Sequence, residues 1–269
     1  MKKLVTLFCC LLITSASFAV IRRVDVNVVG GANTGTSWAN AYNNLNAALS
    51  AAVAGDQIWV ADGTYIPGAN PADGFLIPSG VRVYGGFAGG ETTLAARNVA
   101  ANLTILSGNN VCNHVVGFNN VTAATRLDGF TISGASGGNI GGGIYNYGGD
   151  TNVTIENCII KNNSASQGAG MCNDGTATAS NPTVKGCTFT LNTNAYQGGG
   201  VFNYGPSGNV GGTYTNCVFD NNGTGQGSAF LMLLKMAQVH LFLPIVSSKT
   251  IVQVIGMLLI ILARKEPPN

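Results

Sequence analysis

GGGIYN…VTIENCIIKNN (141–163), GAGMCN…PTVKGCTFTLN (168–192) and GGGVFN…GTYTNCVFDNN (198–222) are three versions of one unit. Superposed, they align Ile155 with Val184 and Tyr214, Cys158 with Cys187 and Cys217, and Ile160 with Phe189 and Phe219. Two polar columns run beside these, Asn163, Asn192 and Asn222 in one, and Asn146, Asn173 and Asn203 in the other. The cysteines fall 29 and 30 residues apart (187 − 158 and 217 − 187). A period of this length with one apolar set marks a unit that cannot bury its own face and must stack on its neighbours. LDGFTISG (127–134) adds a fourth copy, with Leu127, Phe130 and Ile132 in the columns of Ile155, Cys158 and Ile160. Apolar and polar residues alternate within each copy, glycines mark the corners, and no helical pattern separates the strands. The fold class that follows is all-β: a right-handed parallel β-helix, one coil per repeat, with clear repeats at 127–140, 141–167, 168–197 and 198–226. Stacked amides at a bend of such a solenoid hydrogen-bond along the stack, which gives the asparagine columns a structural role.

Upstream of the repeats, strand patterns recur at 24–29, 57–60, 81–84, 103–106 and 115–118. Between the first two, Trp38, Tyr42, Leu45, Leu49 and Val53 follow helical spacing, Ser37 stands at an N-cap position and Gly55 stops the run. This predicts one amphipathic N-terminal capping helix over the first open edge of the stack, an edge that otherwise templates aggregation.

Residues 1–19 read as a secretory signal peptide. Lys2 and Lys3 form the charged start, residues 4–13 the apolar stretch, and Ser17-Phe18-Ala19 a small-x-small cleavage site. Cleavage after Ala19 leaves a β-helix at 20–228 with five cysteines, Cys112, Cys158, Cys172, Cys187 and Cys217. An odd count at whole-repeat spacing fits buried free thiols in a stacked column better than a disulfide framework. Neighbours in a parallel stack lie about 4.8 Å apart, but their side-chain vectors run parallel, which suits the bond poorly. Residues 20–228 carry seven Lys/Arg against ten Asp/Glu, a net of −3, and residues 229–269 carry four against one, a net of +3. No basic patch interleaves with aromatics, so nucleic acid is not an expected partner.

Gly141-Gly142-Gly143-Ile144, Gly168-Ala169-Gly170-Met171 and Gly198-Gly199-Gly200-Val201 share a second signature with Phe189-Thr190-Leu191-Asn192 and Phe219-Asp220-Asn221-Asn222. Together they resemble the paired Gly-Gly-[Ala/Gly]-[Ile/Val] and Phe-x-x-Asn repeat of the chlamydial polymorphic outer-membrane proteins, with Ile160 replacing Phe in the first copy. The upstream segments SWANAYNNLNAAL, GDQIWVADGTY, YGGFAGGE, TILSG and LDGFTISG resemble the N-terminal portion of secreted bacterial β-helix proteins that carry such repeats. The resemblance covers residues 25–228 and implies a pectate-lyase-like solenoid at a secreted or outer-membrane location. For some members it implies adhesion, and it brings no catalytic residue set.

Parallel β-helices also include polysaccharide lyases and hydrolases, which directs attention to the column beside Leu127. There Asp128, Glu156, Lys185 and Thr215 stack on successive coils and face outward, with Lys161 and Asp220 in a nearby column. Two carboxylates one coil apart, with a lysine on the next, could hold Ca²⁺ and supply a base for elimination from a sugar acid. The other reading is a solvent-facing charge ladder, and no catalytic motif surrounds these residues. His114 and His240 are the only histidines, which leaves no His-based triad, and the cysteines lack metal-site spacing. Gly141-Gly142-Gly143 lacks the Lys-Ser/Thr and following helix of a phosphate loop. Tyr145, Tyr147, Phe202 and Tyr204 outline an aromatic strip suited to sugar stacking, interrupted by Cys172, which fits a core column. The expected function is therefore a structural or adhesive surface segment without catalysis or cofactor. Its partner would be a host or cell-surface protein or glycan, met at corner loops such as 147–151 and 206–210. The competing reading is a carbohydrate-active lyase or hydrolase centred on Asp128, Glu156 and Lys185, with Ca²⁺ as cofactor.

After Gly227 the composition changes, and asparagine is absent from 223 to 268. One reading of 229–269 is an anchor that makes the chain a membrane-anchored binding protein, and another is a helix that caps or is buried against the last coil. The apolar run 250–263 is followed by Arg264-Lys265 but has only 14 residues (263 − 250 + 1), against about 20 for a spanning helix. The third reading is a frame slip near Ser228. Permitted codons for 230–255, read two nucleotides later, can encode FNAAKDGTSTPIFTNCIFKNNSAS, which restores the motif and puts a cysteine near 246, 29 beyond Cys217 (246 − 217). On this reading the native β-helix continues past Ser228 toward a C-terminal sorting or barrel domain. The nucleotide sequence across codons 225–269 tests it: codons compatible with that string support the slip, and incompatible codons remove it.

Overall fold

Alternating strands at a near-constant period have one economical arrangement, in which each strand pairs with its counterpart one coil on and all inward residues share one core. The computed structural model describes residues 19–149, 151–205, 209–223, 230–234, 250–255 and 258–263. Residues 1–18 of the expected signal peptide, His240, position 150 of the corner at 147–151 and most of the 206–210 corner loop lie outside the described residues.

Three long sheets wrap the core. The first stacks Ile21–Val24, Gln57–Ala61, Arg82–Phe87, Arg126–Asp128, Thr154–Glu156, Thr183–Lys185 and Thr213–Thr215. The second stacks Gly63–Tyr65, Thr104–Ser107, Thr131–Ser133, Ile159–Lys161, Thr188–Thr190 and Val218–Asp220. The third stacks Phe75–Leu76, Val116–Asn119, Ile144–Tyr147, Met171–Asp174, Val201–Gly205 and Phe230–Leu234. Chain order equals stacking order in each, and the pairings among these strands are parallel. The fold is a parallel β-helix.

The columns expected from the repeat are in register. Leu127, Ile155, Val184 and Tyr214 pair in sequence, as do Ile132, Ile160, Phe189 and Phe219. The first column extends further, through Val83 to Ile58. Two coils that show no recognisable repeat therefore share the same interior. Cys158, Cys187 and Cys217 are buried free thiols in this core, and Phe189 stacks on Phe219 with ring centroids 4.9 Å apart. The Cys158 thiol beside it, together with burial, pushes Cys187 well above the ordinary thiol range.

Asparagine 192 shows how one corner is held. Its Nδ2 donates to Ile160 O on the coil before at 2.9 Å and to Asn222 Oδ1 on the coil after at 2.9 Å. Its Oδ1 accepts from Asn163 Nδ2 at 3.0 Å and from the Asn163 backbone N–H at 3.2 Å. All of these groups are buried, so each bond also satisfies a backbone group that water cannot reach. A second buried ladder runs from Asn146 to Asn173 to Asn203, each amide donating to the next.

The glycine triplet fits against this ladder. The first glycines, Gly141, Gly168 and Gly198, have φ of 66°, 61° and 64°, in the left-handed region that glycine enters without cost. Third-position Gly143 and Gly170 have no room for a side chain: a Cβ on Gly170 would lie 2.3 Å from Gly200 O and 3.1 Å from both Asn192 Nδ2 and Phe189 Cδ1. A further corner places Gly134, Asn162, Leu191 and Asn221 at φ of 77°, 53°, 56° and 49°. Glycine and asparagine enter that conformation at little cost, whereas Leu191 holds it under strain.

Two local expectations are corrected. The strand at the start is Ile21–Val24, not 24–29, because the Asp25 side chain accepts the Asn27 N–H at 2.8 Å and turns the chain. The helix is only Leu45–Ala51, capped by Asn44 rather than Ser37. Ser37 Oγ instead accepts the Asn40 N–H at 3.2 Å in a turn, and Tyr42 bridges to Val24. The helical spacing of Trp38 and Tyr42 thus reflects a folded loop. Leu45, Ala48 and Leu49 enter the main core, and the helix packs on Phe75–Leu76, the terminal strand of the third sheet.

In the tail, Phe230–Leu234 pairs with Val201–Gly205 at an offset of 29 residues (230 − 201), and Leu258–Ala263 and Thr250–Ile255 add antiparallel strands. These segments are strands rather than a helix, and among the described residues no helix is long and apolar enough to cross a membrane.

The corner geometry makes two substitutions move stability in opposite directions. Leu191→Asn should raise unfolding free energy by about 1 kcal/mol by relieving left-handed strain at an exposed side chain. Gly170→Ala should lower it by about 2 kcal/mol through overpacking. Urea denaturation of both variants measures the signs.

Candidate functional site

Strand alternation puts the residue after each core position of the first sheet on the outer face. The resulting column runs Arg23, Trp59, Tyr84, Asp128, Glu156, Lys185 and Thr215 in register. The structure therefore brings Asp128, Glu156 and Lys185 together as the spacing predicts. It departs from the expectation in one respect: Asp128 does not face solvent.

The cause lies in the aromatic half of the column. Trp59 and Tyr84 are too large and apolar to stand in water, and with Phe87 they form a second buried cluster outside the coil. Trp59 stacks on Phe87 at 4.8 Å, and Trp38 and Leu94 pack against the group. Residues 88–103, with a 3₁₀ turn at Leu94–Ala96, form the cover. Glu91 organises its start, accepting the Ala88, Gly89 and Gly90 amides at 2.7, 3.1 and 3.0 Å, while Trp38 Nε1 donates to Glu91 O at 2.8 Å. Burial works to raise the Glu91 pKa, but these amides outweigh it and hold the carboxyl below its ordinary value.

The same segment carries Arg97 onto the column. Arg97 Nη2 lies 2.8 Å from Asp128 Oδ2, and Nη1 donates to Gly85 O and Asp128 O. Asn157 Nδ2 donates to Asp128 Oδ1 at 3.0 Å, and Arg126 Nη1 sits 3.9 Å from Oδ2. Arg126 also binds Glu156 Oε2, and Lys185 Nζ reaches Glu156 Oε1 at 3.5 Å. The arrangement alternates in sign, Arg97, Asp128, Arg126, Glu156, Lys185, with only the last mostly in solvent at 53% side-chain exposure. Ca²⁺ takes about six to eight oxygen ligands, and this set does not fit it. Guanidinium groups hold both carboxylates, and among the described residues no three acidic, His or Cys side chains gather in a metal-binding cluster.

Sequence reasoning missed both arginines. Arg126 was within reach of it, since it stands two residues before Asp128 and so on the same outer face. Arg97 was not, because it comes from an irregular segment whose path no periodicity predicts. The outward Trp59 and Tyr84 were the available signal that a cover must exist.

Beside the ladder the outer face opens into a depression of about 510 Å³. Arg82 and Arg126, partners on adjacent coils, line it with Tyr84, Gly55, Gly80 and Thr122. Arg82 donates to Gly55 O at 3.2 Å and has no carboxylate partner among the described residues.

On the third sheet, the aromatic strip forms in part. Tyr145 stacks on Tyr147 at 4.6 Å and Phe202 on Tyr204 at 5.9 Å, each pair on one coil. Cys172 is buried with Phe202 in a satellite cluster rather than in the main core, which corrects its expected place. Tyr145 donates to Asp174 Oδ2 at 2.9 Å, and the half-buried His114 ring leans on Tyr145 with its pKa lowered by burial.

Comparison with protein-family models, with curated proteins and with solved structures finds no match.

Two outcomes test the cover. Arg97→Ala strands a buried carboxylate and should cost about 3 kcal/mol in urea denaturation. Glu91, with its folded pKa depressed, contributes stability that is complete above its unfolded pKa of about 4.3 and is lost as pH falls through the folded value. Glu91→Gln should therefore be less stable than the parent at pH 7 and show a smaller loss in urea midpoint between pH 7 and pH 3.

Proposed function

We propose that this chain is a structural and adhesive segment of a secreted or outer-membrane surface protein. Its likeness in repeat to the polymorphic outer-membrane proteins supports this placement. The observation that carries the reading is the state of the charged column. Hydrolysis at this column would need its two carboxylates free to give and take a proton next to bound sugar, and elimination would need them free to hold Ca²⁺ beside a base. Here Asp128 is buried under Arg97, and Glu156 is bound by Arg126 and Lys185. These groups hold adjacent coils and the outer cover together.

A solenoid held this way acts by geometry. Its stiffness keeps neighbouring coils at fixed spacing, so side chains on one face and the corner at 147–151 meet a partner as a preset array. The partner is a host or cell-surface protein or glycan. Arg82, without a carboxylate partner among the described residues and beside the open depression, is the cationic group best placed to meet it.

Surface biotinylation and fractionation of the producing cell test the location, with the chain expected in the surface or secreted fraction and a cytoplasmic chain contradicting it. Incubation with acidic polysaccharides and Ca²⁺ should release no new chain ends. Release that disappears in Asp128→Asn would instead establish the lyase or hydrolase reading.

A further inference from the structure

Asp56 is a carboxylate that neither the charged column nor the core uses. It is 1% exposed and stands between the helix Leu45–Ala51 and the strand Gln57–Ala61. Its Oδ1 accepts the Val20 N–H at 2.9 Å, and its Oδ2 accepts Arg22 Nε at 3.0 Å and the Val53 N–H at 3.1 Å. Burial works to raise its pKa, but these bonds outweigh it and hold the carboxyl below its ordinary value. Val20 is fixed from its other side as well, since its carbonyl accepts the Gln57 N–H at 2.9 Å. Its side chain and Ala19 remain exposed.

Position 20 is also the residue that the small-x-small pattern at Ser17-Phe18-Ala19 turns into a new N-terminus. We propose that Asp56 is a built receptor for the α-ammonium group released when the Ala19–Val20 bond is cleaved. The inference rests on the secreted reading above, because a signal-type peptidase must make the cut. In that step the Ala19 C–Val20 N bond breaks, and water supplies hydroxyl to the Ala19 carbonyl and hydrogen to the Val20 nitrogen. A solvent proton then completes the ammonium.

The geometry favours the product over the precursor. In the intact chain Oδ1 accepts one neutral amide N–H, whereas after cleavage the same nitrogen is a cation with three donors. The acceptor is an ionised carboxylate in both states, so the bond is charge-assisted throughout; cleavage adds a full opposite charge on the donor and turns the hydrogen bond into an ion pair. The two cations do not compete, because Arg22 occupies Oδ2 while Val20 faces Oδ1. Cleavage would thus tie together the first strand, the end of the helix and the start of the second strand, where the solenoid begins. The cut at this bond, rather than one residue to either side, becomes part of the fold.

The test starts with the mass of the exported protein. A chain beginning at Val20 is expected, and one beginning elsewhere overturns both this inference and the cleavage-site reading. The exported chain is then compared by urea denaturation with one that retains Ala19, each with and without Asp56→Asn. Retaining Ala19 should lower the folding equilibrium constant about tenfold, and Asp56→Asn should abolish that difference. A difference that is absent, or that persists in Asp56→Asn, overturns the inference while leaving the surface reading intact. Should Asp56→Asn fail to fold, ¹H–¹⁵N spectra of the parent decide. An exchange-protected α-ammonium signal supports the receptor, and a freely exchanging amine overturns it.

Discussion

Everything in this fold depends on keeping each coil in register with the next, and the buried amide of Asn192 shows how that is enforced. Both of its donors and its acceptor oxygen are used, on the coil before and the coil after its own. A coil displaced by one residue would turn every inward side chain outward, and it would also strand these buried polar groups. The third-position glycines Gly143 and Gly170 are the steric complement of the same corner. Where asparagine and an apolar ring fill the space, the facing backbone can carry no side chain. The paired motif of glycine triplet and asparagine is therefore one packing solution written in two places.

The outer faces follow a different logic. Main-chain ladders hold the coils regardless of what projects outward, so the outer columns are free to vary. Near the N-terminus that freedom is used for a second apolar cluster under a folded segment. Further along it is used for a run of ion pairs. Exposed ion pairs contribute little to stability, and buried ones mainly punish the loss of one partner. The Arg97–Asp128 contact belongs to the second kind. It couples an irregular segment to the regular stack at one defined rung.

What could be read from the residues alone follows from which parts of the chain repeat. Leu127, Ile155, Val184 and Tyr214 were placed correctly because identical surroundings recur at each coil, so one alignment fixes many contacts. The same reasoning put Asp128, Glu156 and Lys185 in one column but misjudged the environment of the first. Exposure there is decided by residues 88–103, which occur once and obey no period. The helix was found but drawn too long, because a folded loop at 37–42 offers apolar residues at the same spacing as a helical turn. Asp56 carried no pattern at all. Its role appears only when position 20 is brought beside it in space.

The asparagine corner is the element that locks the coils. Urea denaturation of Asn192→Ala measures it most directly. Truncation leaves the Asn163 N–H without its acceptor and Ile160 O without its donor. The predicted cost is about 2–4 kcal/mol. A loss below about 0.5 kcal/mol, the range of an ordinary surface substitution, would contradict the claim that this ladder sets the register.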